Sequence, residues 1–481
     1  MLISKKNEVY LTLSDLTQAQ NQELADFFTF EVPNAKFMPM VRKRMWDGKI
    51  RLFSPANGEI YVGLLPYIKE YCKSKNVKYT IEEGVEDERD VMGTVVRGFI
   101  RSLRPRSKGK SIKVRDYQIE AVRMAISRNR TLILSPTASG KSLIIYALVR
   151  YYQMAGHRSL IIVPTTSLVE QMYTDFEDYG WSSGTYCQKV YQGYTTKIEK
   201  DVVISTWQSV YKMPKKYFEQ FDCVIGDEAH MFKAKSLTSI MTKLHQCKYR
   251  FGFTGTLDGT ETHRLVLEGL FGSVEQVVTT KELIDKKTLA NLKIKCITLK
   301  HPEKRERMTY AEELDYLVSK ESRNRFILDL CNTISGNTLV LFQLVEKHGK
   351  ILYDGMKGSE NVYFVYGGTD TDQREKIRGL VEKHKNSTTI ASYGTFSTGI
   401  NIRNIHNIVL ASPSKSKIRV LQSIGRGLRT SSTKDSILIF DIADDISYKD
   451  RRNFTLNHFF ERLNIYNEQQ FNYEISKVRI K

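Results

Sequence analysis

Residues 131–142 read TLILSPTASGKS, and this stretch decides the fold of the chain around it. Its first four residues form a short apolar run typical of a buried strand, and a helical pattern follows over residues 143–150. Between them, residues 135–142 nearly match the pattern G-x-x-x-x-G-K-S/T. The one departure is Ser135, which stands where the first glycine would be. The stretch therefore predicts a strand, a turn of small residues and a helix.

This turn has the residues that a phosphate-binding loop needs. The backbone N–H groups of such a loop face phosphate oxygens at the positive end of the following helix. We expect Lys141 to neutralise the β- and γ-phosphates of a nucleotide, and the Ser142 hydroxyl to bind Mg²⁺. An ordinary strand-to-helix turn with a surface lysine is the alternative. The other loop residues expected to hold the nucleotide are Thr137, Ala138, Ser139 and Gly140.

Two adjacent carboxylates follow a second apolar run. Residues 223–230 read CVIGDEAH, so that Asp227 and Glu228 come directly after a segment with a strand pattern. Such carboxylates lie at the carboxyl edge of a sheet, beside the phosphate-binding loop. We expect Asp227 to hold Mg²⁺ and Glu228 to orient or deprotonate an attacking water. Taken alone, the four residues 227–230 would more often be a solvated acidic turn.

Short apolar runs alternate with helical patterns from about residue 113 onward, as they do in parallel α/β sheets. The runs fall into two groups that are separated near residues 275–295. We therefore expect an α/β fold with two tandem parallel-sheet lobes, residues 113–278 and 279–445. The runs are 131–134, 159–163, 202–204 and 223–226 in the first lobe, and 338–342, 362–365, 388–391, 407–410 and 437–440 in the second.

Three further segments flank the lobes. Residues 1–95 combine strand patterns with helical spacing over 16–28 and 65–74, which predicts a small α/β accessory domain. Residues 96–112 are rich in Arg and Lys and are predicted to form a basic linker. Residues 446–481 are basic and aromatic, and we expect a helical tail there.

The charge of the chain favours a polyanionic partner. Among 481 residues, 73 Lys and Arg outnumber 54 Asp and Glu, which gives a formal net charge of +19. Nucleic acid is the first candidate, because basic surfaces bind phosphate backbones and release their counterions. No run approaches the ~18 apolar residues of a membrane span. The six cysteines are far apart and contain no C-x-x-C pair, which predicts free buried thiols.

Four motifs in a fixed order resemble the motif set of superfamily 2 helicases. The resemblance covers about residues 113–445 and implies two RecA-like lobes that bind ATP and Mg²⁺. More narrowly, the chain resembles phage helicases of recombination and repair, through residues 46–52, 136–137, 392–394, 396–400 and 415–418. The four motifs are GKS at 140–142, DEAH at 227–230, TGT at 254–256 and QSIGRGLR at 422–429.

The resemblance implies further residues around the nucleotide. Gln118 matches the adenine-reading position, and an amide can both donate to and accept from the adenine edge. Arg115 and Tyr117 lie beside it in the sequence and are also assigned to the nucleotide. The resemblance also implies residues that couple ATP hydrolysis to nucleic-acid binding. His230 would link the ATP site to segment 254–256, which would relay the nucleotide state to the nucleic acid. The relay residues are Thr254 and Thr256.

The second lobe is expected to complete the ATP site. Arg426 and Arg429 are three residues apart, hence on one helical face, and resemble the arginine fingers of the superfamily. Gln422, one turn earlier, resembles a contact to the γ-phosphate or the attacking water. Gly399 resembles a further nucleotide contact. Asn401 stands where many members have Asp, so that its role stays open.

Nucleic-acid contacts in this superfamily come from loops at the tops of both lobes. Hydroxyls and backbone N–H groups there hold phosphates without reading the sequence. Arg44 and Trp46 in the N-terminal domain could add contacts to phosphates and bases, although a core Trp under a solvated basic face is an equal alternative. The matching residues in the lobes are Pro164, Thr165, Gly193, Thr206, Trp207, Gln208, Phe342, Gly367 and Thr398.

The resemblance implies an enzyme that couples ATP hydrolysis to the remodelling of branched DNA: fork regression, Holliday-junction branch migration and unwinding of RNA–DNA hybrids in R-loops. The expected partner is single-stranded, forked or branched DNA, without a membrane, and a monomer is favoured. The expected location is the cytoplasm, that of a bacterial host if the gene is phage-borne. The alternatives are a double-stranded DNA translocase without strand separation, an RNA helicase, and a nucleic-acid-binding protein with a degenerate motor.

Overall fold

The computed structural model describes residues 1–33, 35–302, 308–398, 402, 404–429, 434–448 and 451–480. The chain folds into two compact units, one formed by residues 1–135 and 140–277, the other by residues 136–139 and 278–481. Each unit contains a seven-stranded sheet, which confirms the predicted α/β fold with two parallel-sheet lobes. In the described part of the chain, no helix has the length and apolar character that crossing a bilayer requires.

The seven-stranded sheet of the first unit is parallel throughout. Alternate residues of one central strand lie in two separate hydrophobic clusters, Leu160 and Ile162 in one, Ile161 and Val163 in the other. Both faces of the sheet are therefore covered, which explains the continuous apolar runs. The strand order is Cys187–Val190, Val202–Thr206, Ser159–Val163, Cys223–Asp227, Tyr249–Thr254, Arg130–Leu134 and Val274–Gln276.

Helices connect these strands and cover the two faces. The helix that follows the phosphate-binding loop has eight buried residues, all apolar or aromatic. The helices are Asp116–Arg128, Lys141–Met154, Thr166–Asp178, Ser183–Tyr186, Trp207–Val210, Lys215–Phe218, Lys235–Lys243 and Glu261–Phe271, with the 3₁₀ helix Ala229–Lys233.

The N-terminal segment forms a five-stranded mixed sheet within the first unit. It packs on the first lobe, where the Tyr67 hydroxyl donates to Glu268 at 2.5 Å and Arg130 pairs with Glu8 at 3.0 Å. The strand order is Phe53–Ser54, Glu59–Tyr61, Tyr10–Ser14, Leu2–Lys5 and Thr80–Ile81; the helices are Gln18–Phe27 and Leu65–Ser74.

Shorter elements complete the first unit. The segment predicted as a basic linker, residues 96–112, contains most of helix Gly93–Ser102, in which Val96 and Ile100 are buried. It is therefore packed against the lobe along its apolar face, while its charges stay outside. The other short elements are strands Thr29–Glu31 and Lys49–Arg51, the 3₁₀ helix Ala35–Phe37, helix Pro39–Arg42, and the hairpin Arg106–Ser107 with Lys110–Ser111.

The sheet of the second unit is also parallel. Its strand order is Val362–Val365, Thr388–Ser392, Thr338–Phe342, Asn407–Leu410, Ser436–Asp445, Asn291–Lys300 and Tyr473–Arg479. The helices are Thr280–Asp285, Tyr310–Ser319, Glu321–Thr333, Lys350–Asp354, Thr371–Lys383, Tyr393–Thr398, Lys417–Gly427 and Phe454–Glu468, with a π-helical turn at Val345–Gly349.

The C-terminal segment differs from the expected helical tail. After helix Phe454–Glu468 the chain forms strand Tyr473–Arg479, which pairs in parallel with Asn291–Lys300 and ends the sheet. Most of its side chains are exposed. An edge strand of this kind lacks the buried apolar run that marks a central strand, and its Lys477 and Arg479 are typical of a protected edge.

Candidate active site

The predicted phosphate-binding loop joins strand Arg130–Leu134 to helix Lys141–Met154. The Ser135 N–H donates to the Thr254 carbonyl at 2.9 Å, which holds the start of the loop at the sheet. Gly140 has a φ of +83°, and a Cβ there would lie 2.4 Å from Nε2 of Gln118. Only glycine fits this position without displacement. The helix beyond it offers its free N–H groups to an anion.

Lys141 lies between two carboxylates at the edge of the same sheet. Its Nζ is 2.7 Å from Asp227 Oδ1 and 3.4 Å from Glu228 Oε1. Burial disfavours the charged ammonium, but the two carboxylates outweigh it and raise the pKa of Lys141 above its ordinary value. Lys141 is therefore a fixed positive charge beside the loop.

The two carboxylates differ in their surroundings. Burial raises the pKa of Asp227 above its ordinary value, although Lys141 opposes this. For Glu228, burial also acts upward, but the charges of Lys141 and His230 prevail and lower its pKa to about 2. Glu228 has a left-handed backbone with a φ of +51°, which turns the chain sharply at the end of the strand. Of the two carboxylates, Glu228 is therefore the one that stays ionised.

The residues assigned to adenine lie at the start of one helix, with Gln118 beside Gly140. Gln118 is buried, and its Oε1 accepts from the Arg115 N–H at 3.0 Å at the start of helix Asp116–Arg128. Its Nε2 faces Gly140, because a Cβ on that glycine would lie 2.4 Å from it. The Arg115 guanidinium donates to the Tyr117 hydroxyl at 2.8 Å. The fold therefore brings Gln118 to Gly140, and Arg115 links it to Tyr117.

A hydrogen-bonded chain leaves the acidic motif. His230 Nδ1 is 3.4 Å from Glu228 Oε2 and 3.0 Å from the Thr254 hydroxyl. The Thr254 hydroxyl in turn donates to the Thr256 carbonyl at 3.1 Å. Since Thr254 ends strand Tyr249–Thr254, these contacts join the ends of two neighbouring strands. The three residues assigned to coupling therefore form a linear chain of contacts that begins at Glu228 and runs through His230 and Thr254 to Thr256.

The residues assigned to Mg²⁺ offer a carboxylate and a hydroxyl. Ser142 Oγ is 2.8 Å from the hydroxyl of Tyr179, and Asp227 is 6% exposed. Hard oxygen ligands of this kind suit Mg²⁺, which binds through one or two carboxylates together with substrate phosphates. Among the described residues, no group of three or more His, Cys, Asp or Glu could hold a metal. The donor set therefore fits a metal that is shared with a nucleotide.

Two of the residues assigned to the second lobe, Gln422 and Arg426, belong to helix Lys417–Gly427. Gln422 and Arg426 are four residues apart on one face of this helix. The Arg426 guanidinium lies 5.7 Å from the centre of the Phe396 ring. The prediction that Arg429 shares a helical face with Arg426 is wrong, because Arg429 lies beyond the helix, which ends at Gly427 with Leu428 as its cap.

Comparison with known proteins identifies the family of the chain. Over 489 aligned residues, and 97% of each chain, the sequence is 34% identical to the ATP-dependent DNA helicase uvsW of Enterobacteria phage T4. The chain belongs to the UvsW family of superfamily 2 helicases. The crystal structure of T4 UvsW superposes with a TM-score of 0.54 at 33% identity and covers 99% of both chains.

Three family models match successive parts of this UvsW-family chain. Residues 12–82 match the model "DNA helicase UvsW, N-terminal", residues 111–259 match "Type III restriction enzyme, res subunit", and residues 312–431 match "Helicase conserved C-terminal domain". A more distant relative is the DNA 3′-5′ translocase XPB2 of Sulfurisphaera tokodaii, 26% identical over 322 residues, 65% of this chain and 66% of that protein. This relative therefore aligns with about two thirds of the chain.

The nucleic-acid residues that were expected in the first unit of the UvsW-family chain lie along one edge of its sheet. Pro164 and Thr165 follow strand Ser159–Val163, and Thr206 ends the neighbouring strand Val202–Thr206. The Thr165 hydroxyl accepts from the Leu168 N–H at 3.4 Å and caps the next helix. Gly193 lies in the loop after Cys187–Val190, while Trp207 and Gln208 begin helix Trp207–Val210.

Two aromatic residues assigned to nucleic acid, Trp207 and Phe342, belong partly or wholly to the hydrophobic core. Trp207 packs against the hydrophobic core with its ring 5.7 Å from that of Tyr211, so that only part of it is accessible. Phe342 ends strand Thr338–Phe342, is completely buried and stacks on Phe364. The Phe342 side chain therefore cannot touch a nucleic acid, and only its backbone lies at the sheet edge.

Gly367 follows strand Val362–Val365 of the second unit. Gly367 is exposed, and its carbonyl accepts from the Arg374 guanidinium at 2.9 Å. Gly399 and Asn401 lie outside the described residues, as does the side chain of Thr398. In the N-terminal domain Arg44 is exposed, and the Trp46 indole N–H donates to the Lys49 carbonyl at 2.9 Å.

Two residues that contact the assigned elements belong to none of the sequence motifs. Tyr179, after helix Thr166–Asp178, contacts the Ser142 hydroxyl. Lys434 is buried and donates to the Gly427 carbonyl at the end of the helix that carries Arg426; burial, aided by Arg429, lowers its pKa to about 8. Tyr179 lies 37 positions from Ser142 in the sequence and Lys434 lies seven from Gly427, and neither residue is part of a motif.

Proposed function

We propose that the protein is an ATP-dependent DNA helicase that remodels branched DNA. The observation that carries the proposal is the position of Lys141, which lies between Asp227 and Glu228 directly after the Gly140 turn. Phosphate-binding loops that end in Lys and face two carboxylates are suited to bind and cleave a nucleoside triphosphate. The chain's resemblance along its whole length to the T4 helicase supports DNA as the polymer on which it acts.

Lys141 and Glu228 would change partners during the reaction. When ATP binds, the ammonium of Lys141 turns from the carboxylates to the β- and γ-phosphates. Glu228 then loses the neighbouring charge that holds its pKa at about 2, so that its basicity rises. A carboxylate that becomes more basic once substrate is bound is suited to take a proton from the attacking water.

Ser142 and Asp227 would hold Mg²⁺ together with the phosphates. The metal, when bound, offsets the negative charge of the triphosphate. Tyr179 keeps the Ser142 hydroxyl in one orientation through their 2.8 Å contact. Gln118, Arg115 and the residues of the loop would hold the adenine and the phosphate chain.

The second unit would supply Arg426, Arg429 and Gln422 to the γ-phosphoryl group. A planar guanidinium stabilises the charge that spreads over phosphate oxygens in the transition state. His230, Thr254 and Thr256 would carry the change at Glu228 to the sheet edge, because their hydrogen bonds form one chain. The residues at that edge would hold the DNA backbone, and ATP turnover would move the protein along it.

The preferred DNA is proposed to be branched: forks, Holliday junctions and R-loops. The N-terminal domain supports this, because it matches a domain named for UvsW and carries exposed basic residues such as Arg44. A net charge of +19 supports a polyanionic substrate in general.

The deciding experiment measures phosphate release with single-stranded, duplex, forked and four-way-junction DNA, R-loops and duplex RNA. The wild type is expected to respond most strongly to branched DNA, and Lys141→Ala to lose turnover on every substrate. Lys357→Ala, an exposed lysine in the second unit, is the matched control and should behave as the wild type.

Turnover by Lys141→Ala would refute the assignment of the loop. Equal stimulation by branched and unbranched duplex would instead favour a translocase without strand separation, which a strand-displacement assay on forked DNA would identify. Stimulation by duplex RNA alone would make the protein an RNA helicase.

A further inference from the structure

The edge strand Cys187–Val190 ends in a tight turn, residues 191–194. The Tyr194 N–H donates to the Tyr191 carbonyl at 2.9 Å, and Gly193 has a φ of +94°. This hydrogen bond and the left-handed third residue are the marks of a type II turn. A Cβ on Gly193 would meet nothing within 4 Å, so that the backbone angle, not lack of space, requires glycine. The turn fixes the position of Tyr194.

Two contacts hold the Tyr194 ring, and both partners are tied to Glu170. Its centroid lies 4.5 Å from that of Tyr191, and Lys189 Nζ lies 5.2 Å above it. The Tyr191 hydroxyl donates to Glu170 Oε1 at 2.5 Å, and Lys189 pairs with Glu170 at 3.0 Å. Glu170 belongs to helix Thr166–Asp178, so that the turn is tied to a second element. Nevertheless Tyr194 is 44% exposed.

The turn lies at the edge that carries the proposed DNA contacts. Strands Cys187–Val190, Val202–Thr206 and Ser159–Val163 are neighbours and parallel, with Val190 beside Ser205 and Val163 beside Thr206. All three therefore end at the same level. The two neighbouring strands lead into the loops assigned to the DNA backbone, and the third leads to Tyr194.

The chemistry of the cluster suits a base rather than a phosphate. Lys189 is already paired with Glu170, so that the pair contributes no net charge for a phosphate. What remains accessible is an aromatic ring in a fixed orientation. Bases stack on such rings irrespective of sequence, as a motor that moves along any DNA requires.

We propose that Tyr194 is a stacking platform for an unpaired base of the DNA strand that the first lobe holds. This assignment rests on the proposed function and adds a base contact to the backbone contacts named there. Tyr191, Lys189 and Glu170 act as positioning residues, because they hold the ring without facing the base.

The test compares two strands of equal length, one of thymidines and one with abasic sites throughout. For each, the concentration that gives half-maximal stimulation of ATP hydrolysis is measured for the wild type, Tyr194→Ala and Tyr194→Phe. On the thymidine strand Tyr194→Ala should need at least about fivefold more DNA, the lower limit of one stacked base, and Tyr194→Phe should match the wild type. On the abasic strand all three proteins should be alike.

Tyr79→Ala is the matched control, because Tyr79 is 40% exposed and lies in the N-terminal domain. It should leave the half-maximal concentration unchanged, and thermal unfolding of each variant shows whether the fold is kept. A loss in Tyr194→Ala that is equal on both strands would overturn stacking in favour of a backbone contact or a folding defect. No loss on the thymidine strand would overturn it outright. A wild type that no DNA stimulates would instead refute the proposed function.

Discussion

Lys141 and Glu228 illustrate how one ion pair prepares a site for catalysis. The Nζ of Lys141 lies 3.4 Å from Oε1 of Glu228 in a largely buried position, where an unpaired charge would be costly. ATP would replace this internal pairing by a pairing with phosphate. The carboxylate that is released is the residue proposed to activate water, so that substrate binding itself prepares the base.

At this scale we predict the effect of Glu228→Gln, which keeps the shape of the side chain but cannot accept a proton. Hydrolysis should fall by roughly 10²- to 10⁴-fold, the usual contribution of a general base. Binding of a fluorescent ATP analogue should persist, since Asp227 still balances Lys141. Single-turnover hydrolysis and an ATP titration measure the two effects separately. Loss of ATP binding in this variant would assign Glu228 to binding rather than to catalysis.

The elements of the second unit are held by a buried charged cluster. Arg462 on helix Phe454–Glu468 donates to Asp441 of strand Ser436–Asp445 at 2.6 and 2.8 Å, and Tyr466 donates to the same carboxylate at 2.8 Å. Both charged residues are almost fully buried. Although burial opposes it, the charge of Asp441 raises the pKa of Arg462. This pair fixes the C-terminal helix on the sheet to which the last strand also belongs.

We therefore predict that Arg462→Met destabilises the second unit. The change leaves the Asp441 carboxylate buried without a counter-charge, which typically costs about 3–5 kcal/mol. Urea unfolding of the full chain measures the loss. The double change Arg462→Met with Asp441→Leu should recover most of it, because no buried charge remains. Arg325→Met, which breaks an exposed pair with Glu321, is the control and should change little. A small effect of Arg462→Met alone would mean that water reaches Asp441.

Across the whole molecule, the parts that could be predicted from the sequence are those with a local physical cause. The runs 159–163 and 338–342 coincide with observed strands, because a strand covered on both faces must be apolar throughout. The closeness of Lys141 to Asp227 could be anticipated, since both follow such strands. Strand Tyr473–Arg479 could not, because an exposed edge leaves no apolar pattern. The contact of Tyr179 with Ser142 needs the folded chain, since the two are distant in sequence.

The net charge of +19 belongs to the molecule as a whole and leads to the last prediction. Because each phosphate contact releases counterions, the DNA concentration for half-maximal ATP hydrolysis should rise at least about tenfold between roughly 50 and 200 mM salt. Arg44→Ala should make this dependence less steep, by about one unit of the logarithmic slope, if the exposed Arg44 touches a phosphate. The ATP concentration for half-maximal hydrolysis without DNA should change much less, since Lys141 is mostly buried and poorly screened. A DNA requirement that is independent of salt would exclude the phosphate backbone as the main contact.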